Sequence, residues 1–259
     1  MNIQLKHFIC GTCSQFAHFA VRNKPFRWQR FPARVTCVIF GKEKWLIDSG
    51  YAGNSQSHDI SWQRKIYNIL VPNRQTDEQN ISFQLKRESI RPQEISNIFI
   101  SHFHADHIGG LSQFIKSKYI CSAYEYKRLM KMSVCSKLLH GFFPELLPAD
   151  FEKRSLWIED FPRGKDIFGL PSYCLDEKRG IFAVFLPGHT LNQYGLFLEQ
   201  EKVLFAADAA WSPLLYEQGI LPSKIGLLVQ ENQKDYLATG GVLKEMWEQG
   251  ITIYLTHGN

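Results

Sequence analysis

The sequence predicts an α/β chain in which two mixed β-sheets pack face to face with helices outside. Three observations predict it. Short apolar strands alternate with amphipathic helical stretches, this alternation runs through twice, and the chemically capable residues fall just past strand ends. At 259 residues the chain can bury a large core, and 44% hydrophobic against 21% charged residues excludes intrinsic disorder and collagen-like repetition. One domain over 1–259 is expected, each half contributing one layer.

Residues 35–40 and 44–47 are β-branched or aromatic, and Gly41-Lys42 between them marks a turn, so this is a hairpin ending in Leu46-Ile47-Asp48-Ser49-Gly50. In 61–70, Trp62, Ile66, Ile69 and Leu70 recur at helical spacing until Pro72 stops them. A strand at 95–100 leads into Ser101-His102-Phe103-His104-Ala105-Asp106-His107. Then come a helix at 107–115, a strand at 119–121 and a longer helix at 123–139. Gly141, Pro144, Pro148, Pro162, Gly164, Gly169 and Pro171 punctuate the next stretch, so a lid or insertion is expected at about 136–178. Regularity returns with strands at 181–186, 194–198 and 203–205, a helix at 234–248 and a last strand at 252–255.

A formal charge of +5 is too modest to make nucleic acid the expected partner. Local charge is more telling. Arg22, Lys24, Arg27, Arg30 and Arg34 interleave with Phe26, Trp28 and Phe31 and no acid, which suits either the grip of an anionic substrate or a solvated loop with its aromatics turned inward. No apolar run reaches the roughly 18 residues of a membrane span, and residues 1–8 lack the apolar centre of a secretory signal. A cytoplasmic location with reduced thiols is therefore expected. Cys10-Gly-Thr-Cys13 has the spacing of a redox pair without the strand-to-helix setting that activates one, and is expected as two small residues in an N-terminal loop.

His102, His104, Asp106 and His107 place three imidazoles and a carboxylate within six residues. These are the ligand types of Zn, Fe or Mn, and alternate residues of an extended loop can aim at one point. A single ion needs only three protein ligands and water. The excess implies two metals or sharing with distant residues, and His189, Asp208 and His257 each follow a strand later in the chain.

With Asp48, these motifs in this order resemble those of the metallo-β-lactamase superfamily over essentially the whole chain. The resemblance implies an αββα sandwich with a metal pair. It also implies that His102, His104 and His189 hold one ion, that Asp106, His107 and His257 hold the other, that Asp208 bridges both, and that Asp48 orders the loop behind them. Two divalent ions follow as cofactors, zinc first, with Fe or Mn sharing its preferences. His7, His18, His58 and His140 are expected to be ordinary solvated or hydrogen-bonded residues, with His18 and His140 as minor candidates for lining the site.

Such a metal pair makes hydrolysis the natural reaction, with a metal-bound hydroxide attacking a carbonyl and Asp106 passing a proton to the leaving group. Within the superfamily, residues 100–110, Ala123-Tyr124-Glu125-Tyr126, Pro187-Gly188-His189-Thr190 and Asp208-Ala209 resemble the acyl-homoserine lactonase branch. Where that branch has a substrate-binding tyrosine, this chain has Trp211, for which Tyr216 is a candidate replacement. Phe142 and Phe143, among Leu138, Leu139, Leu146 and Leu147, are either the wall of an acyl pocket or core. The expected substrate is a small ester-like molecule, acylated or anionic, and foremost a lactone. Alternatives are a thioesterase resembling glyoxalase II, a phosphodiesterase, a mononuclear iron dioxygenase and a non-catalytic metal-binding module.

Overall fold

The computed structural model describes residues 3–52 and 60–258. His58 lies outside them. Among the described residues twelve strands occur: β1 (Ile3–Phe16), β2 (Trp28–Phe40), β3 (Glu43–Ile47), β4 (Asn73–Arg74), β5 (Ile95–Phe99), β6 (Lys118–Cys121), β7 (Ser155–Trp157), β8 (Ser172–Asp176), β9 (Ile181–Phe185), β10 (Tyr194–Leu198), β11 (Val203–Ala207) and β12 (Thr252–Leu255). They form a seven-stranded sheet, in the order β4-β1-β2-β3-β5-β6-β7, and a five-stranded sheet, β12-β11-β10-β9-β8. The chain divides into two compact units, Met1–Ser14 with Pro32–Trp157, and Gln15–Phe31 with Ile158–Asn259. Each unit is built around one sheet.

In the first unit the expected hairpin forms with Thr36 opposite Ile47 and Phe40 opposite Glu43, and β3, β5, β6 and β7 continue in parallel. Two outcomes differ from expectation. The Cys10–Cys13 stretch is not a loop but the middle of β1, where Thr12 pairs with Arg74 and Cys13 with Asn73. Its small residues carry little strand signal of their own, and the partner strand supplies the pairing. The long helix at 123–139 is two helices, Ala123–Met130 and Val134–Leu139. Ser133 Oγ accepts from the backbone N–H of Ser136 and so starts the second one afresh.

The helix expected at 107–115 is likewise shorter. A single turn at Ala105–Ile108 is followed by a 3-10 turn at Leu111–Gln113, because Gly109 and Gly110 interrupt it. A Cβ on Gly109 would lie 2.3 Å from the Ala52 nitrogen, and one on Gly110 would lie 2.4 Å from the Ser49 carbonyl oxygen. Helix length is given up for contact between the histidine-rich loop and the segment after β3. Ser49 completes that contact: its N–H donates to the His107 carbonyl and its hydroxyl accepts from the Gly110 N–H.

In the second unit β10 and β11 are buried along their whole length, as strands covered on both faces must be. The helix Gln233–Glu248 leads from the loops after β11 into β12, which lies parallel to β11. Asn232 caps this helix, and Tyr236, Thr239, Gly240, Leu243 and Met246 form its buried stripe. The irregular stretch at 136–178 contributes β7 to one sheet and β8 to the other. Phe142 and Phe143 are buried in the first unit's core, the arrangement of the core alternative.

The basic stretch at 22–34 runs through a turn into β2. Phe31 is buried, whereas Phe26 and Trp28 are 61% and 57% exposed, so the aromatics do not all turn inward. Phe16 stacks on the Trp28 ring with centroids 4.6 Å apart. No helix of the described residues is long and apolar enough to cross a membrane.

Candidate functional site

The first donor set sits where β5 ends. His102, Asp106 and His107 are buried and His104 is half-buried. His102 Nε2 lies 3.0 Å from His104 Nδ1, and His107 Nε2 lies 3.7 Å from Asp106 Oδ2. Behind them stands Asp48, at φ 60°, in the left-handed region that Asp tolerates better than most residues. Its backbone N–H donates to the Phe99 carbonyl, which fixes the turn at the sheet edge.

The Asp48 carboxylate is surrounded by donors. Oδ1 accepts from the Ser101 N–H at 2.9 Å, Oδ2 accepts from the Ser101 hydroxyl at 2.9 Å, and Oδ2 also lies 2.8 Å from His107 Nδ1. Ser101 Oγ is 3.0 Å from His102 Nδ1. One hydroxyl has one proton. With that proton on Asp48, Ser101 Oγ accepts from His102 Nδ1–H, and His107 Nδ1–H donates to Asp48 directly. Both rings then carry their proton on Nδ1 and turn Nε2 away from the carboxylate.

The second donor set belongs to the other unit. Between Phe205 and Ala207 the pairing of β11 with β12 slips by one residue, and Ala207 takes φ 47°. A bulge of this kind re-aims the side chain that follows it, here Asp208. The Thr256 N–H donates to the Ala207 carbonyl and draws the end of β12 alongside. Asp208 Oδ2 consequently lies 3.1 Å from His257 Nε2 and 3.4 Å from His189 Nε2.

The loop carrying His189 is held from the segment before helix Gln233–Glu248. The Glu231 and Asn232 N–H groups donate to the His189 and Gly188 carbonyls, and the Leu191 N–H donates to a Glu231 carboxylate oxygen. Gly188 has φ 128°, and a Cβ there would lie 2.2 Å from the Tyr236 nitrogen, so only glycine lets the loop lie this close. His189 Nδ1 is 2.8 Å from Gln230 Oε1.

These donors fit a divalent metal. Ligand atoms of one tetrahedral zinc sit about 3.3 Å apart, and within each set imidazole and carboxylate atoms stand 3.0 to 3.7 Å from one another. The rings with a partner behind them, His102, His107 and His189, are braced in the manner of metal-binding histidines.

The other candidates are placed as follows. Trp211 sets its ring edge-on to His189, 5.8 Å between centroids at 72°, and its backbone N–H donates to the Tyr236 hydroxyl. Tyr216 is a core residue of the second unit, and burial, aided by Glu217, pushes its phenol up to about 12. His140 Nδ1 bonds the Ser136 carbonyl at the end of its own helix. His18 Nδ1 bonds the Lys24 carbonyl, with its ring against Phe26. Sequence reasoning missed the parts taken by Ser101 and Gln230. Ser101 was visible as the neighbour of the first histidine, whereas nothing in the sequence ties Gln230 to a histidine 41 positions away.

A model of the metallo-beta-lactamase superfamily matches residues 31–256. The chain belongs to that superfamily. As a superfamily member it is a metal-dependent hydrolase, with the α/β sandwich fold of the family. An N-acyl homoserine lactonase from a Bacillus species is 22% identical over 227 residues, covering 85% of this chain and 81% of its own. Among solved structures, an N-acyl homoserine lactone hydrolase with the product N-hexanoyl-L-homoserine at its catalytic metal centre superposes with a TM-score of 0.72. It is 20% identical and covers 100% of this chain and 94% of its own. A dizinc quorum-quenching lactonase superposes with a TM-score of 0.69 at 14% identity, covering 99% and 88%.

Proposed function

We propose that this superfamily member is a dinuclear zinc hydrolase that opens a lactone, with the two donor sets serving one metal pair. His102, His104 and His189 would hold one ion, Asp106, His107 and His257 the other, and Asp208 would be shared. The observation that carries this reading is Asp208 Oδ2, a single carboxylate oxygen at ligand spacing from two imidazoles. The lactonases among the relatives support the choice of substrate.

A zinc pair, when bound, supplies the Lewis acidity that makes water nucleophilic near neutral pH and polarises a carbonyl. The chain's own residues do the rest. Asp48 and Ser101 keep protons on Nδ1 of His107 and His102, so that both rings offer Nε2. Asp106 takes up the proton released as water attacks the carbonyl carbon and returns it to the departing ring oxygen. Trp211, beside His189, presents an indole N–H that donates to a substrate oxygen but has no acceptor to offer.

The test is proton release from a medium-chain acyl-homoserine lactone by the zinc-reconstituted protein, against an Asp106→Ala control. Turnover well above the control is expected. Absence of turnover on lactones, with turnover on acyl thioesters, would overturn the assigned substrate and leave the hydrolase.

A further inference from the structure

Gln230 is a buried amide with a fixed orientation. Its Nε2 donates to the Gly226 carbonyl at 2.8 Å, and its Oε1 lies 2.8 Å from His189 Nδ1. The two ends cannot be exchanged. An amide turned end for end would set its oxygen against the Gly226 carbonyl oxygen, and two acceptors facing each other in a buried site are costly. Because Oε1 can only accept, His189 Nδ1 must carry a proton, and in the neutral ring Nε2, the nitrogen facing Asp208, is the one with the lone pair.

We propose that Gln230 is the positioning residue of His189: it selects the imidazole tautomer that offers Nε2 to a metal and holds the ring plane in place. The proposal rests on the metal-centre reading above and adds an asymmetry to it. His102 and His107 are braced by the charged Asp48 network, whereas His189 is braced by a neutral amide. A carboxylate behind an imidazole raises its basicity more than an amide does. His189 is therefore less strongly braced than His107, whose Nδ1 faces the carboxylate directly. It also depends on where Gly226 lies, since the same amide is tethered there and the next two residues grip the His189 loop.

The experiment compares full-length wild type with Gln230→Leu and Gln230→Glu. Zinc affinity is measured by chelator competition, and the His189 Nδ1–H is followed as a downfield imidazole proton by NMR. Gln230→Leu is expected to lose about 10- to 100-fold in zinc affinity and to lose the downfield proton. Gln230→Glu keeps an acceptor toward His189 but gives up the bond to the Gly226 carbonyl, and is expected to retain the downfield proton that Gln230→Leu loses. Wild-type affinity with the downfield proton retained in Gln230→Leu would overturn the role. Should Gln230→Leu fail to fold, the wild-type imidazole nitrogen NMR decides alone, because a His189 Nδ1 that carries no proton contradicts an acceptor role for Gln230 Oε1. A wild-type chain that takes up no zinc overturns the metal-centre reading together with this one. Zinc uptake indifferent to residue 230 overturns this one only.

Discussion

His107 Nδ1 donates to Asp48 Oδ2 at 2.8 Å across 59 residues of sequence, and Ser101 connects the same carboxylate to His102. One buried acid thus sets the proton positions of two imidazoles. Asp48→Ala is expected to lower zinc affinity by about 10- to 100-fold, with Ser101→Ala intermediate because it breaks only the branch to His102. Chelator competition on the purified variants measures both, and a Ser101→Ala loss equal to that of Asp48→Ala would contradict the branching.

His104→Ala and Asp106→Asn separate holding metal from moving protons. The first removes an imidazole whose Nδ1 lies 3.0 Å from His102 Nε2, so metal and activity should fall together. The second keeps an oxygen donor but gives up the acid, so metal content should survive while turnover falls by about 100-fold or more. Metal analysis beside initial rates distinguishes them, and full turnover in either variant would remove the residue from its assigned role.

Trp211 touches the His189 ring without being part of either donor set. Trp211→Ala should leave metal content unchanged and weaken kcat/KM on lactones by up to about tenfold, the scale of one aromatic contact. Loss of metal in this variant would instead make Trp211 a support for His189.

The acid Glu94 tests stability away from the site. The Arg91 backbone N–H, the Arg91 guanidinium and Lys44 all donate to it and hold its carboxyl down at about 2, from an ordinary 4.5. A folded-state value below the unfolded one gives stability that is present above about 4.5 and lost as the pH falls toward 2. Glu94→Gln should therefore lower Tm slightly at pH 7, with the deficit shrinking below pH 4.5. A deficit that does not vary with pH would rule out the charge as its cause.

Thiol labelling checks the cysteines. Cys10, Cys13, Cys37 and Cys121 are buried, and burial pushes the Cys10 thiol up and the Cys37 thiol up to about 12. Of the six, Cys135 alone is exposed, and Cys174 is half-buried with its thiol pushed up by burial and by Glu177 and Asp176, which slows it. The native protein should show one fast-reacting thiol, lost in Cys135→Ser, and the buried four should react only on unfolding. Rapid reaction at Cys10 or Cys13 would restore the redox reading of that pair.

The placement of the candidate donors was legible because it is local: His102 to His107 lie within one loop, and His189, Asp208 and His257 each follow a strand that its own apolar run announces. Ser101 was half legible, next to the motif but with a role visible only once Asp48 is folded against it. Gln230 was illegible, since its partner is fixed by a loop-to-loop contact that leaves no periodicity. Among the elements, the helix Gln233–Glu248 appears almost as expected because it carries a full buried stripe, and β12 because its short apolar run follows at once. The helix Ile81–Arg87, with only Ile81 and Leu85 buried, shows too little pattern to find. In 123–139 the hydrophobic spacing reads straight through a break that one serine decides.

The second compact unit is not a continuous stretch of sequence. Its segment Gln15–Phe31 comes from near the beginning of the chain, where the Arg22 N–H donates to the Leu221 carbonyl and the Ser223 N–H to the Phe19 carbonyl. The Phe19 carbonyl also fills the space where a Cβ on Gly226 would stand, 2.0 Å away. A gene cut between Trp157 and Ile158 would leave the later fragment without the strip that seats the residues around Gly226, the anchor of Gln230. The earlier product would hold all of the first unit, but the later one would have to find it before being whole, so this protein is suited to split-gene complementation and unsuited to inheritance as two separable modules.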